Sequence, residues 1–299
     1  MLQTYNPAND AIQVWIGDRL FSRNEARVSV FDSSVQGGDA VWEGLRVYNN
    51  TIFCLTEHLN RLQASAHALA FQNIPDNATI RNAIKETLKA NKMHDGVHIR
   101  LTLTRGEKIT SGMDPRLNQK GCTLIVLAEW KPPVYGNKGI RLITSSVRRN
   151  SPMHLDSKIH HNNLLNNILA KIEANVAGAD DALMLDNLGF VAETNACNIF
   201  FIKRSILKTP SADACLPGIT RSMVIEIASN LGITLQEGHF SLTELYCADE
   251  VFTTGTMGEL VAVDEIDGRK IGQMGSDKQL MKLKTAYSEL VKTKSESID

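Results

Sequence analysis

Residues 97–104 alternate without a break, with Val97, Ile99, Leu101 and Leu103 on one side and His98, Arg100, Thr102 and Thr104 on the other. A period of two is the signature of a strand with one face in a core. The polar set includes an arginine and a histidine, on a strand that reads as internal to its sheet. Around it the periods change. Val14-Trp15-Ile16, Gly17-Asp18 and Leu20-Phe21 read as a short hairpin. Residues 41–48 and 52–55 read as a second, with Asn49-Asn50 tolerating the positive φ of the turn. Leu59, Leu62, Ala66 and Leu69 recur at helical spacing from about Thr56, and Ile80, Ile84 and Leu88 mark another helix. Residues 123–128 are almost wholly apolar and read as a buried strand.

The run Glu129-Trp130-Lys131-Pro132-Pro133-Val134-Tyr135-Gly136-Asn137-Lys138 reads as a linker, since two prolines cannot continue a ladder. The expected division is 1–128 as a small N-terminal α/β domain, 129–138 as the linker, and 139–299 as a large C-terminal domain. In the latter, residues 140–147 read as a strand. Residues 163–176 read as a helix with Leu165, Ile168, Leu169, Ile172 and Val176 on its apolar side. Residues 182–185 and 190–193 form a hairpin about Asn187-Leu188-Gly189, and 198–202 another strand. A helix over 220–231 stops at Gly232, and a last helix starts at Ser276-Asp277 and carries Leu280, Leu283, Tyr287 and Leu290. Strands gather in hairpins rather than regular βαβ units, which makes the fold class α+β.

Bulk properties remove several function classes. The 299 residues carry 32 Lys plus Arg against 33 Asp plus Glu, a net charge of −1, so no field draws nucleic acid or an anionic membrane. No apolar run approaches the ~20 residues of a membrane span. Met1-Leu2-Gln3-Thr4-Tyr5-Asn6 has neither the basic start nor the apolar stretch of a signal peptide. The five cysteines (Cys54, Cys122, Cys197, Cys215 and Cys247) are odd in number and widely spaced, which fits reduced, mostly buried thiols in the cytoplasm. His160-His161 are adjacent and diverge rather than chelate, so no metal site is expected.

Chemistry can reside in four short segments. Lys158, in Asp156-Ser157-Lys158, is either one solvated lysine among many or an amine kept reactive by its surroundings. Leu216-Pro217-Gly218-Ile219-Thr220-Arg221 turns sharply into a helix, whose first N–H groups either bind an anion or are capped by Thr220. Thr253-Thr254-Gly255-Thr256-Met257-Gly258-Glu259 is either a second anion cup or an ordinary polar turn. Glu193 is either an exposed strand-end glutamate or a carboxylate held against a ring nitrogen. Two arginines add to these. Arg61 either reaches an anion or pairs with Glu57 four residues back, and Arg100 either clamps a carboxylate or faces solvent.

Taken in order, these segments resemble the class IV aminotransferases, the family of branched-chain and D-amino acid transaminases, over most of the chain from about Trp15 to Leu283. Glu57-His58-Leu59-Asn60-Arg61-Leu62 is similar to the family's Glu-His-x-x-Arg-Leu, whose arginine binds the cofactor phosphate. Lys158 matches the lysine that carries pyridoxal phosphate as a Schiff base. Val191-Ala192-Glu193-Thr194 followed by Asn198-Ile199-Phe200 matches the segment whose glutamate holds the pyridine nitrogen. Leu216–Arg221 and Gly255-Thr256 match the two phosphate-binding turns, and Ala248-Asp249-Glu250-Val251 matches a strand entry. The resemblance implies two α/β domains of the fold-type IV (D-amino acid aminotransferase-like) architecture, a homodimer, and pyridoxal 5'-phosphate held by Arg61, Lys158, Glu193, Ile219, Thr220 and Thr256.

Val41-Trp42-Glu43-Gly44-Leu45-Arg46 is similar to the Phe-Glu-Gly-Ile-Arg of branched-chain enzymes, and Val97-His98-Ile99-Arg100 to their Tyr-Ile-Arg strand, with His98 in place of tyrosine. Asn163 stands where those enzymes commonly have a second tyrosine. Gln36-Gly37-Gly38-Asp39 and Asn163-Leu164-Leu165-Asn166-Asn167 lean toward D-amino acid transaminases. The expected activity is amino transfer from a branched-chain or similar apolar L-amino acid to 2-oxoglutarate, with Trp42, His98, Arg100 and Met257 touching substrate. A D-amino acid transaminase, an aminodeoxychorismate lyase and a cofactor-binding protein without turnover are the alternatives.

Overall fold

The computed structural model describes residues 3–135, 138–272 and 279–298. The chain gathers into two compact units. The first runs to Pro132 and also takes in Ile159–Asn163 and the residues from Lys294 onward; the second holds Pro133–Lys158 and Leu164–Thr293. The chain therefore leaves the second unit directly after Lys158, re-enters it at Leu164, and leaves it again at Lys294. The sequence had both returning segments in the C-terminal domain.

The first unit comprises β1 (Gln13–Ile16), β2 (Arg19–Ser22), α1 (Ser33–Gly37), β3 (Ala40–Tyr48), β4 (Thr51–Phe53), α2 (Leu55–Ala68), α3 (Asn77–Ala90), β5 (Val97–Thr104) and β6 (Thr123–Trp130). Among the described residues its sheet runs from the C-terminal strand Ser295–Ser297 through β4, β3, β5, β6, β1 and β2, antiparallel throughout. β5 lies between β3 and β6, as its alternation requires. Its apolar face packs with Leu45 and Val47 of β3, Leu59 and Leu62 of α2, and Ile80, Ile84 and Leu88 of α3. Both hairpins form, with Gly17 at φ +69° and Asn49 and Asn50 at +46° and +63°. The start of α2 has no cap of its own; Glu296 of the C-terminal strand accepts the Thr56 N–H at 2.7 Å.

Two expectations change here. β6 alternates rather than lying fully buried, with Leu124, Val126 and Ala128 inside and their neighbours half-buried. It also extends through Glu129 and Trp130, which pair with His98 and Val97, so these two residues are strand rather than linker. Gly136 and Asn137 of the expected linker lie outside the described residues.

The second unit comprises β7 (Ile140–Thr144), α4 (Leu165–Val176), β8 (Asp181–Leu185), β9 (Val191–Thr194), β10 (Asn198–Lys203), β11 (Ile206–Pro210), α5 (Ile219–Asn230), β12 (Leu235–Gly238), α6 (Leu242–Tyr246), β13 (Glu250–Gly255), β14 (Glu259–Ile266), β15 (Arg269–Lys270) and α7 (Gln279–Thr293). Its sheet runs β12-β11-β10-β13-β14-β7-β8-β9, with β15 on β14. The pairs β11/β12, β7/β14 and β7/β8 are parallel and the rest antiparallel. The expected start of the last helix, Ser276-Asp277, lies outside the described residues; Leu280, Leu283 and Tyr287 are buried, and Val291 rather than Leu290 continues the stripe.

α4 reverses its expected orientation. Its alanines, Ala170 and Ala174, pack against Ala182 and Met184 of β8. Small side chains let the helix approach the sheet closely. Leu165, Ile168, Leu169, Ile172 and Val176 are left between 50% and 85% exposed. Among the described residues no helix is long and apolar enough to cross a membrane. The five cysteines are thiols rather than disulfides; Cys54 and Cys215 are buried, Cys122 and Cys197 half-buried, and Cys247 exposed.

Candidate active site

Glu193 is the third of the four buried residues of β9 and is 5% exposed. It is not the exposed strand-end glutamate that composition favours. A buried carboxylate demands donors, and three reach it. Arg149 Nε donates to Oε1 at 2.6 Å, the Leu216 N–H to Oε1 at 3.2 Å, and Asn198 Nδ2 to Oε2 at 3.0 Å. A carboxylate has about four acceptor positions, so Oε2 keeps one open among the described residues. Burial pushes the Glu193 carboxyl up from its ordinary value, against the pull of Arg149, the Leu216 N–H and Arg221.

Asn198 links this carboxylate to the turn at 216–220. The same Nδ2 donates to the Leu216 carbonyl at 2.8 Å, and Gly218 has no side chain because a Cβ there would lie 2.0 Å from Asn198 Oδ1. Gly218 is the N-cap of α5, and no side chain caps that helix. Thr220 is one residue inside the first turn, so it does not cap its own helix. Ile219 and Thr220 are both buried and contribute uncapped N–H groups at the positive end of a twelve-residue helix.

The third segment joins through sheet register, because Thr254 pairs with Asn198 across β13 and β10. Thr254 Oγ1 is buried with no hydrogen-bond partner among the described residues. A Cβ on Gly255 would come within 2.9 Å of Cys197 Sγ. Thr256 and Met257 follow, half-buried, and the Met257 carbonyl accepts the Val134 N–H. Glu193, the α5 start and the 254–256 turn thus converge around Cys197-Asn198.

Lys158 is tied to the same unit by its neighbours. Ser157 is buried and its hydroxyl donates to the Asn150 carbonyl at 2.6 Å, one residue beyond Arg149. The Lys158 N–H donates to Asp156 Oδ1 at 3.0 Å, and its Nζ lies 3.7 Å from the same oxygen. Its side chain is 43% exposed.

The remaining candidates belong to the first unit. Arg61 does not pair with Glu57. Its Nε and Nη2 bind the two oxygens of Glu43 at 2.8 and 2.7 Å, and Glu43 is 0% exposed. His58 Nδ1 meets Glu43 Oε2 at 2.7 Å and His160 Nδ1 meets Oε1 at 3.2 Å. Burial would push the Glu43 carboxyl up, but the Arg61 charge, with hydrogen bonds from Arg61 and His160, holds it well below its ordinary value. Arg100 is not simply solvated: its guanidinium stacks 3.4 Å above the Trp42 ring and donates to Asn162 Oδ1 at 2.6 Å. His98 is half-buried; burial, helped by Lys131, Arg100 and Arg46, pushes its pKa down to about 3, so the ring is neutral at neutral pH. Arg46, opposite His98 on β3, has Nε and Nη1 buried with no hydrogen-bond partner among the described residues.

Comparison with known proteins agrees with this geometry. The profile of the family described as amino-transferase class IV matches residues 40–266. The chain belongs to the class IV aminotransferases. It is 59% identical over 285 residues to the branched-chain-amino-acid aminotransferase-like protein 2 of Arabidopsis thaliana, covering 95% of this chain and 51% of that protein. The chain therefore spans about half the length of that curated relative. It is 34% identical over 295 residues to the branched-chain-amino-acid aminotransferase of Pseudomonas aeruginosa, covering 95% and 94%. Among solved structures, a branched-chain amino acid aminotransferase of T.th. complexed with N-(5'-phosphopyridoxyl)-L-glutamate aligns with a TM-score of 0.89 at 33% identity, covering 97% of this chain and 99% of that one. The fold is α+β and of the fold-type IV architecture that the class IV resemblance implies.

Sequence reasoning passed over Arg149, Asn198 as a hydrogen-bonding residue, Glu43 and Arg46. Arg149 meets Glu193 across 44 residues, and nothing local marks that pairing. The usable signal was indirect: a glutamate inside an apolar strand must find a cation or donors somewhere.

Proposed function

We propose that the chain is a pyridoxal phosphate aminotransferase moving an amino group from a branched-chain or similar apolar L-amino acid to 2-oxoglutarate. The observation that carries this reading is the Glu193 carboxylate, buried with one acceptor position open and joined through Asn198 to an uncapped helix start. A protonated ring nitrogen suits the first and a phosphate the second. The unpartnered Thr254 hydroxyl beside them is a further donor of the kind an anion requires. When bound, this cofactor supplies an aldehyde that takes up the amino group and a ring that draws electrons from the reacting carbon.

The chain's own residues do the rest. Lys158 would hold the cofactor through Nζ, and its amine would move the proton at the substrate α-carbon as base and acid. Glu193 keeps a proton on the ring nitrogen. The Ile219 and Thr220 N–H groups and the Thr256 hydroxyl donate to the phosphate, and Arg61 has the same role by its motif. Arg100 takes the substrate carboxylate, while Trp42, His98 and Met257 shape the side-chain pocket. The two-domain division, with the larger domain carrying Lys158, is part of this reading.

The proposal extends to a homodimer in the cytoplasm. The five exposed apolar side chains along α4 form the kind of contiguous patch that marks an interface, and cysteines held as thiols suit a reducing compartment. Replacing Leu169 and Ile172 by glutamate is expected to yield monomers in sedimentation; a persistent dimer would remove α4 from the interface.

The test of function is turnover of L-leucine and, separately, D-alanine by the cofactor-loaded protein and by Lys158→Ala. L-leucine conversion that falls by at least ~10²-fold in the variant is expected. Normal turnover by Lys158→Ala contradicts the mechanism. Conversion of D-alanine alone moves the chain to the D-amino acid enzymes, and pyruvate release from aminodeoxychorismate to the lyases. Cofactor binding without transfer across an amine panel makes it a binding protein.

A further inference from the structure

We infer that Arg149 is the positioning residue that keeps Glu193 an anion, and so fixes the proton on the cofactor's ring nitrogen. The inference rests on the cofactor reading above. A buried carboxyl beside a pyridine can sit in two ways: as an anion accepting from a protonated nitrogen, or as a neutral acid donating to a bare one. Only the first makes the ring an effective electron sink. Burial favours the second and pushes Glu193 upward.

The groups facing Glu193 decide between them. Arg149, beyond the end of β7, makes a direct 2.6 Å hydrogen bond and is 6% exposed, with its Nη1 buried and unpartnered among the described residues. Arg221 of α5 is a second nearby cation, but its Nη2 is committed to the Pro210 carbonyl and to Glu237. Asn198 and the Leu216 N–H are neutral donors. Cys215, whose thiol burial pushes up to about 12, and Cys197, pushed up further by burial, are uncharged neighbours. Among the described residues Arg149 is therefore the one charge in direct contact. Its main chain is anchored as well, with its N–H donating to the Leu185 carbonyl at 2.8 Å. A guanidinium cannot lose its proton over the working range, so its charge stays beside the carboxylate and opposes the upward push of burial.

The test uses pyridoxal 5'-phosphate labelled with ¹⁵N in the ring, bound to the wild type, Arg149→Met and Arg149→Lys, with the ring-nitrogen shift followed from pH 6 to 9. The wild type is expected to hold a protonated nitrogen throughout. Arg149→Met is expected to titrate within that range, with its midpoint lower by at least about one pH unit, roughly a tenfold change in the protonation ratio. Arg149→Lys restores most of the shift. A ring nitrogen in Arg149→Met as protonated as in wild type at every pH overturns the inference. Should Arg149→Met fail to fold, Arg149→Gln decides, because it keeps a hydrogen-bond donor but no charge: its midpoint is expected to fall likewise, and a profile unchanged from wild type counts against Arg149. A wild-type protein that binds no cofactor fails the functional reading instead, which keeps the two failures apart.

Discussion

Each unit buries one glutamate against an arginine, and the two pairs are built differently. Glu43 has its four acceptor positions filled, two by Arg61, one by His58 and one by His160. Glu193 has three filled, two of them by uncharged donors. Burial pushes both carboxyls upward; at Glu43 the Arg61 charge and the hydrogen bonds from Arg61 and His160 overcome it, and at Glu193 burial wins. A saturated buried carboxylate is a clamp, since nothing more can be added to it. One with an open acceptor position and a raised pKa is incomplete by itself, and that incompleteness is what a ligand donor can use.

The contrast predicts that replacing the two glutamates damages different properties. The largest effect expected is on chemistry: Glu193→Gln should lower turnover per folded molecule on the order of 10²-fold, because charge developing on the substrate loses its sink. Steady-state kinetics on protein corrected for cofactor occupancy reads this out. Glu43→Gln should instead cost about 3–5 kcal/mol of stability at neutral pH, because it leaves the largely buried Arg61 without its carboxylate. The sign of the pH dependence follows from the depressed Glu43 pKa. A folded-state pKa below the unfolded one gives stability that is present above the unfolded value and is lost as pH falls through the folded one. The gap between wild type and variant in denaturant melts should therefore narrow as pH drops below the carboxylate range; a gap that widens there would break the comparison.

Smaller perturbations probe the connection between carboxylate and helix start. Gly218→Ala puts a methyl 2.0 Å from Asn198 Oδ1, so Asn198 must move, at a cost of about 1–3 kcal/mol. Calorimetry should find the apo protein less stable and the affinity for pyridoxal phosphate weaker. Thr254→Val removes a buried hydroxyl that has no partner among the described residues. Leaving such a group unsatisfied costs about 1–3 kcal/mol, so the melting temperature of the apo variant should hold or rise while cofactor affinity falls. A melting temperature that falls would mean the hydroxyl already serves the fold.

The strands and turns were legible because their signals are local. β5 announced itself by period two, and Asn49-Asn50 by tolerance of positive φ. α4 was legible as a helix but not in its direction, because Ala170 and Ala174, not the leucines and isoleucines, meet the sheet. β14, with Glu259, Asp264 and Glu265 in it, has too many charges to read as a sheet strand from periodicity. The site residues were legible as motifs, but their electrostatics were not. Arg61 sits on a helix where Glu57 is the obvious partner, and only the fold brings Glu43, 18 residues away, into reach. Arg149 and Glu193 are more distant still.

The central claim is that this chain carries amino-group chemistry at Glu193 and Lys158. A single-turnover experiment reaches it most directly: the cofactor-loaded protein is mixed with L-leucine and no acceptor acid, and keto acid is counted against bound cofactor. The account predicts one keto acid per loaded site in the wild type, with the matching loss of absorbance from the aldehyde form, and a greatly slowed conversion in Glu193→Gln. Full cofactor occupancy with no keto acid from L-leucine, or an unslowed Glu193→Gln, would contradict it.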